Sequence, residues 1–296
     1  MQSSFLGVPP LREAAYSVYH DESGTDRKHD RFLFQGALFV PEPRWHEALG
    51  LLAAARGEYR GRIHFVDLRD KARSPKAGVS WDWTNTYFNT LSYFCPFKCM
   101  VADTASAHPL IARFSQPHHL YNYTAMMAVR SALPWSMSEF DLLHMRIFSE
   151  STSRSPDDNF ATYLPRQVAR SANSPRPRSP KCPRIAEPVS PVSLVEGDPN
   201  KVQSEDAGHC EFIQLADLLT SAVAQAVNAS GRQSIKLELA SLVAGWIDDT
   251  RLPPWSQALD LHRRFSVSCF PGASGGFFEV ALSVSQRGQL PLTLGS

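Results

Sequence analysis

The sequence predicts an α/β domain three layers deep, with a mixed sheet between helices. Two observations carry this. Segments 15–20, 31–40, 97–103 and 142–148 are short, apolar and rich in β-branched or aromatic residues. Longer segments with apolar residues at spacings of three and four follow the second, third and fourth of them, the alternation that packs helices against a sheet. A hydrophobic content of 43% over 296 residues supplies the core of a single domain, residues 1–296.

Residues 15–20 (AYSVYH) form the first strand, stopped by the turn chemistry of Asp21-Glu22-Ser23-Gly24. After a polar turn, residues 31–40 (RFLFQGALFV) return as its hairpin partner, with Gly36 marking a bulge or a close approach. Pro43 opens a helix whose apolar positions are Trp45, Ala48, Leu49, Leu52 and Ala53. Residues 62–66 (RIHFV) read as a short strand, residues 81–93 as a helix and residues 97–103 (FKCMVAD) as a third strand ending in Asp103. Pro117 precedes a helix over 118–133, and residues 142–148 (LLHMRIF) form a fourth strand with Glu150 just past its end. Residues 159–171 read as a helix interrupted by Pro165, and residues 192–195 as a fifth strand. The clearest helix is 211–227, where Phe212, Leu215, Ala216, Leu219, Ala222, Val223 and Ala226 share one face. Glu211, Gln214, Asp217, Ser221 and Gln225 run along it as a polar stripe. Residues 235–247 and 255–265 add two helices around Pro253-Pro254, and residues 277–284 read as a last strand.

Thirty basic against 29 acidic residues leave a formal charge of +1, which excludes a surface that is a polyanion clamp throughout. Any nucleic-acid contact must be local. Between Asp158 and Glu187 there is no acid, while Arg166, Arg170, Arg176, Arg178, Lys181 and Arg184 are all basic. Prolines, serines and arginines leave no packed element over 171–191, so this stretch reads as a solvated insertion close to the acidic site. Arg176, Arg178, Lys181 and Arg184 are its candidate nucleic-acid contacts. Residues 1–15 lack a secretory apolar run, and no span approaches the ~20 apolar residues of a membrane helix. Five cysteines without a CxxC pair argue against a disulfide framework, and Cys95 with Cys99 lacks the second pair a zinc site needs. The expectation is a cytoplasmic protein with no membrane contact. Nothing in the pattern specifies a protein partner or a homo-oligomer.

Three acidic motifs stand far apart: residues 19–24 (YHDESG), 148–151 (FSES) and 214–219 (QLADLL). Ionised acids are costly to bury unless paired or metal-bound. Taken singly, Asp21 can begin a turn, Glu150 can cap the next element and Asp217 can pair with a base, although a helix interior offers Asp217 no capping role. Residues at the carboxyl ends of neighbouring strands converge on one edge of an open α/β sheet. If the first and fourth strands are adjacent and parallel, Asp21 and Glu150 face one another and the helix bearing Asp217 closes the third side. Mg²⁺ or Mn²⁺ relieves the repulsion of such a set, and two such ions about 4 Å apart suit phosphodiester cleavage.

At these residues the chain resembles the family known as domain of unknown function 3800, whose fold is ribonuclease H-like. The resemblance rests on Asp21-Glu22-Ser23-Gly24, the Gly36-containing second strand, Ile63-His64-Phe65, Glu150 and Gln214-Leu215-Ala216-Asp217-Leu218-Leu219, and spans about residues 15–230. It implies a ribonuclease H-like three-layer fold with a five-stranded mixed sheet and the first strand central; the extra helices at 235–247 and 255–265 then belong to a C-terminal extension over 231–296. It also implies that Asp21, Glu150 and Asp217 are the metal-binding, catalytic carboxylates of a Mg²⁺- or Mn²⁺-dependent nuclease or phosphodiesterase.

Ribonucleases H carry a catalytic Glu in the helix after the third strand, whereas residues 118–133 contain no acid, which leaves Asp103 as the candidate fourth. His64 reads either as a substrate-orienting or proton-shuttling group or as a hydrogen-bonded core imidazole. Gln214 is a candidate to orient Asp217, Ser23 to donate to a phosphate oxygen, and Glu22 is a further acid beside Asp21. The alternative is a non-catalytic ribonuclease H-like binding or scaffold protein, in a mobile-element or phage-defence setting by family context. The missing helical Glu and the lack of a strong basic groove motivate it.

Overall fold

The computed structural model describes residues 10–24, 31–69, 74–151, 158–174, 182–228, 233–249 and 258–271. The expected hairpin forms: β1 (Glu13–Ser23) runs antiparallel to β2 (Phe32–Pro41), with Asp21 opposite Gly36, so that Asp21–Ser23 extend the strand where a turn was expected. β2 also pairs antiparallel with β3 (Phe97–Asp103), and β1 pairs parallel with β4 (Leu142–Glu150). β5 (Arg184–Ile185) and β6 (Ser193–Val195) add to the outer side of β4, and β7 (Phe265–Phe270) adds to the outer side of β3, all three parallel. The result is a seven-stranded mixed sheet of order β5-β4-β1-β2-β3-β7, with β6 also on β4. Every described strand except β2 points the same way, so the carboxyl ends of β1, β3 and β4 reach one edge.

Helices α1 (Trp45–Arg56), α2 (Pro75–Asn89), α6 (Ala207–Asn228) and α7 (Ser234–Asp249) cover one face of the sheet. On the other face lie α4 (Pro117–Ser131) and α5 (Phe160–Asn173), with the single turn α3 (Pro109–Ala112) beside them. The α/β class and the layering therefore follow the sequence pattern. α2 begins earlier than its periodicity indicated, because Pro75 stands in its first turn and the Ser74 hydroxyl accepts from the Ala77 amide at 3.2 Å.

The expected five strands become seven. β5 arises inside the Pro-rich stretch, where Asn173 receives the Ile185 amide at 2.9 Å and holds the returning chain against β4. β7 replaces the end of the expected 255–265 helix. There α8 (Ala258–Arg264) stops because the fully buried Lys98 amine donates to the carbonyls of His262 at 2.6 Å and Arg263 at 3.1 Å. The alternating residues Phe265, Val267 and Cys269 then enter the core as a strand. Residues 62–66 do not join the sheet, and Phe65–Asp67 forms a single 3-10 turn. Residues 255–257 and 277–284 lie outside the described residues. Cys95 and Cys99 are free thiols that burial pushes up in pKa, so both act as neutral core groups. No helix among the described residues is long and apolar enough to cross a membrane.

Two contacts set how α6 lies on the sheet. The Tyr19 hydroxyl accepts from the Trp45 indole at 2.8 Å and meets His209 Nδ1 at 2.8 Å, while its ring stacks on Phe212 and Phe148. This ties the start of α6 to β1 and α1. Further along, Gly36 allows the helix to settle, since a Cβ there would stand 1.9 Å from Thr220 Oγ1 and 3.0 Å from the Phe97 ring. Gly36→Ala is expected to cost about 1–3 kcal/mol through overpacking, read as a lower urea midpoint. Adding Thr220→Ala should recover part of the loss. A neutral Gly36→Ala would contradict the close approach.

Candidate active site

Parallel pairing of Tyr19 with Phe148 and of His20 with Ser149 puts the next residues, Asp21 and Glu150, side by side at neighbouring strand ends. Tyr19 and Phe148 pack into the core beneath α6, so by the two-residue alternation Asp21 and Glu150 point to that same face. Asp217, in the middle of α6, meets them from above because Gly36, the cross-strand partner of Asp21, lets the helix down. Sequence reasoning expected this convergence, and its geometric premise, adjacent parallel first and fourth strands, holds.

Asp21 is 5% exposed, and its Oδ2 is buried without a hydrogen-bond partner. Burial holds its carboxyl well above the usual range, and repulsion from Asp217, Glu22 and Glu150, in that order, adds to the rise. Asp217 is raised chiefly by burial as well. His64, the Phe65 amide, Ser221 and Arg62 oppose that rise. The Phe65 amide donates to Asp217 Oδ2 at 2.8 Å, the Ser221 hydroxyl to Oδ1 at 3.3 Å, and His64 Nε2 stands 3.7 Å from Oδ1. Glu150 is raised by burial and lowered by Arg62, whose guanidinium donates directly to Glu150 Oε1. Gly197 leaves room for that carboxylate, because a Cβ there would lie 2.0 Å from Oε1.

The chain between α1 and α2 thus forms an arm across the site. Gln214 Oε1 accepts the Ile63 amide at 2.6 Å, one helical turn before Asp217 accepts the Phe65 amide. Buried Arg56 donates to Glu211 at 2.9 Å, to the Gly61 carbonyl at 2.8 Å and to Gln214 at 3.3 Å. Gln214 therefore fixes the arm and is not a hydrogen-bond partner of Asp217. The arm delivers the Arg62 guanidinium to Glu150 and the half-buried His64 imidazole to the edge of Asp217, which is a position on the acids and not the core site that was the other reading of His64.

The remaining expected residues are placed as follows. Glu22, next along β1 from Asp21, turns to the His20 side of the sheet with Oε2 4.0 Å from His20 Nδ1; its charge adds to the rise at Asp21 and Glu150, but it does not fill the role of a fourth acid beside them. Asp103 does not take that role. It pairs with Arg31 at 2.7 Å and caps the Ala105 amide at 3.2 Å, two strands from β1. Ser23 ends β1 opposite Phe34. Arg184 pairs with Leu142 at the start of β4, so at 3.3 Å per residue it stands about 26 Å along the strand from Glu150, not close to the acids. Arg176, Arg178 and Lys181 lie outside the described residues.

Sequence reasoning missed Arg56 and Arg62. Their signal was the run of bases at 56, 60, 62 and His64 leading into the arm, on a segment that reads as a strand when taken alone. Among the described residues, no three His, Cys, Asp or Glu side chains converge as a ready ligand set. Asp21 offers an orphaned carboxylate oxygen, whereas Glu150 is engaged by Arg62. An all-oxygen, net-negative and partly unsatisfied cluster is the donor chemistry that hard divalent cations favour. Neither known protein families nor curated proteins give a match to the sequence.

The raised Asp21 carboxyl has a stability consequence. The folded state binds its proton more tightly than the unfolded chain, so stability is lost as pH rises from the unfolded carboxylate range near ~4 through the higher folded value. In chelator, Asp21→Asn should melt above the wild type at pH 8, and the gap should close on acidification. A melting difference independent of pH would show that Asp21 is not a destabilising buried charge.

Proposed function

We propose that the protein is a Mg²⁺- or Mn²⁺-dependent nuclease, or a close phosphodiesterase relative, working in the cytoplasm on a nucleic-acid phosphodiester. The observation that carries this is the buried, unpartnered Asp21 Oδ2 in the field of Asp217, Glu22 and Glu150. Such an arrangement costs stability at neutral pH, a cost that a shared cation would relieve. Asp21 and Asp217 would hold the cation, with Glu150 joining them. A bound divalent ion supplies Lewis-acid stabilisation of phosphate oxygens and acidifies an attacking water.

The chain's own residues complete the reading. The Phe65 amide and Ser221 hydroxyl would keep Asp217 turned to the site. His64 Nε2, at the rim, is placed to hand a proton to a departing oxygen. The arm bases Arg60 and Arg62 are local positive charge that a phosphate backbone would meet. Support for a ribonuclease H-like fold and membership of the domain of unknown function 3800 family comes from the motifs and from the order β5-β4-β1-β2-β3, in which β1 is central and β2 alone is antiparallel. In this reading β6 and β7 are additions at the two flanks.

A second reading, a binding or scaffold module with a neutralised site, is favoured by the Arg62–Glu150 pair and the absence of a converged ligand triple among the described residues. Cleavage assays separate the two. Asp21→Asn and Asp217→Asn should each abolish Mg²⁺- or Mn²⁺-dependent cleavage of DNA or RNA oligonucleotides while leaving the circular dichroism spectrum unchanged. Full activity in both variants would rule out the assignment, and no calorimetric uptake of Mn²⁺ by the wild type would favour the module.

A further inference from the structure

Arg62 has an unusual position for a counter-ion. Its backbone is clamped on both sides: the Gly61 carbonyl accepts from Arg56, the Arg62 carbonyl from the Tyr59 hydroxyl at 3.4 Å, and the Ile63 amide is taken by Gln214. Its side chain is one-third exposed, at 33%, and its Nε is buried with no partner. A guanidinium that binds a carboxylate through one arm and leaves Nε unsatisfied is short of the paired, two-bond contact it makes with carboxylate or phosphate oxygens. Its partner is displaced too. Arg62 takes Glu150 Oε1, and among the described residues no three acids converge as a ready ligand set. The space that Glu150 occupies beside Arg62 exists because residue 197 has no side chain.

We propose that Arg62 is a phosphate-binding residue held in reserve on Glu150. When a divalent cation enters at Asp21 and Asp217, the Glu150 carboxylate turns to it, and the freed Arg62 guanidinium, on its fixed backbone, binds the non-bridging oxygens of a substrate phosphodiester. Cation and phosphate binding are thereby coupled, because the Glu150 oxygen that Arg62 holds would be drawn off to the cation. This rests on the metal reading above and adds an exchange that the reading does not require.

The test measures binding, not turnover. Mn²⁺ alone is titrated calorimetrically into wild type, Arg62→Ala and Gly197→Ala. Fluorescent single-stranded DNA and RNA oligonucleotides are then titrated by anisotropy in EDTA and in Ca²⁺. Arg62→Ala should bind Mn²⁺ about tenfold more tightly, the value of one charge-assisted hydrogen bond. It should lose oligonucleotide affinity in Ca²⁺ but not in EDTA, where the native guanidinium is occupied. Gly197→Ala, which evicts Glu150 from its place beside Arg62, should bind Mn²⁺ more tightly and keep its oligonucleotide affinity. If the wild type takes up Mn²⁺ but Arg62→Ala binds oligonucleotide in Ca²⁺ as the wild type does, Arg62 is only a counter-charge and the exchange is overturned while the metal reading stands. If none of the three proteins takes up Mn²⁺, both fail together.

Discussion

Asp21 and Asp217 are two acids brought together where little water reaches, and the rest of the site is organised around that repulsion. Asp21 is placed by strand register and Asp217 by a helix that can descend only because Gly36 lacks a side chain. Burial is the largest cause of the raised pKa of both. A fold that served stability alone would replace such a pair with apolar residues of similar size at little loss. Retaining it requires local compensation, a ligand, or both.

Part of the compensation is visible. One strap of backbone between α1 and α2 gives two amides to α6 side chains and brings two basic groups to the acids. Its own position depends on Arg56, a buried cation tied to Glu211, Gln214 and the Gly61 carbonyl. Asp217 and Glu150 are stabilised by this strap, but Asp21 Oδ2 is not reached by it. The site is thus compensated unequally, and the uncompensated atom lies at the centre. That asymmetry is what the proposed cation site rests on.

Much of this was legible in the sequence because it depends on short-range pattern. The strand composition before Asp21, the polar stripe of α6 and the apolar run before Glu150 located the three acids, although Asp21–Ser23 continue β1 where a turn was expected and Glu150 is the last residue of β4. What was not legible depends on distant partners. Arg62 and Glu150 are 88 residues apart, and Arg31 and Asp103 are 72 apart, so neither the lock on one acid nor the diversion of the other leaves a local trace. Residues 62–66 have strand composition, yet their amides go to helix side chains. Phe265–Phe270 was hidden by the helix before it, whose end is set by Lys98 on another strand. Arg184 was misplaced because two residues of pairing at the start of β4 carry it to the far end of the sheet.

The most direct measurement is anomalous diffraction at the manganese edge from crystals soaked in Mn²⁺. A peak shared by Asp21 Oδ2 and the Asp217 carboxylate is expected, with metal–oxygen distances of about 2.0–2.6 Å. Crystals saturated with Mn²⁺ that show no peak within about 3 Å of Asp21 Oδ2, beyond any oxygen-ligated divalent ion, would contradict it.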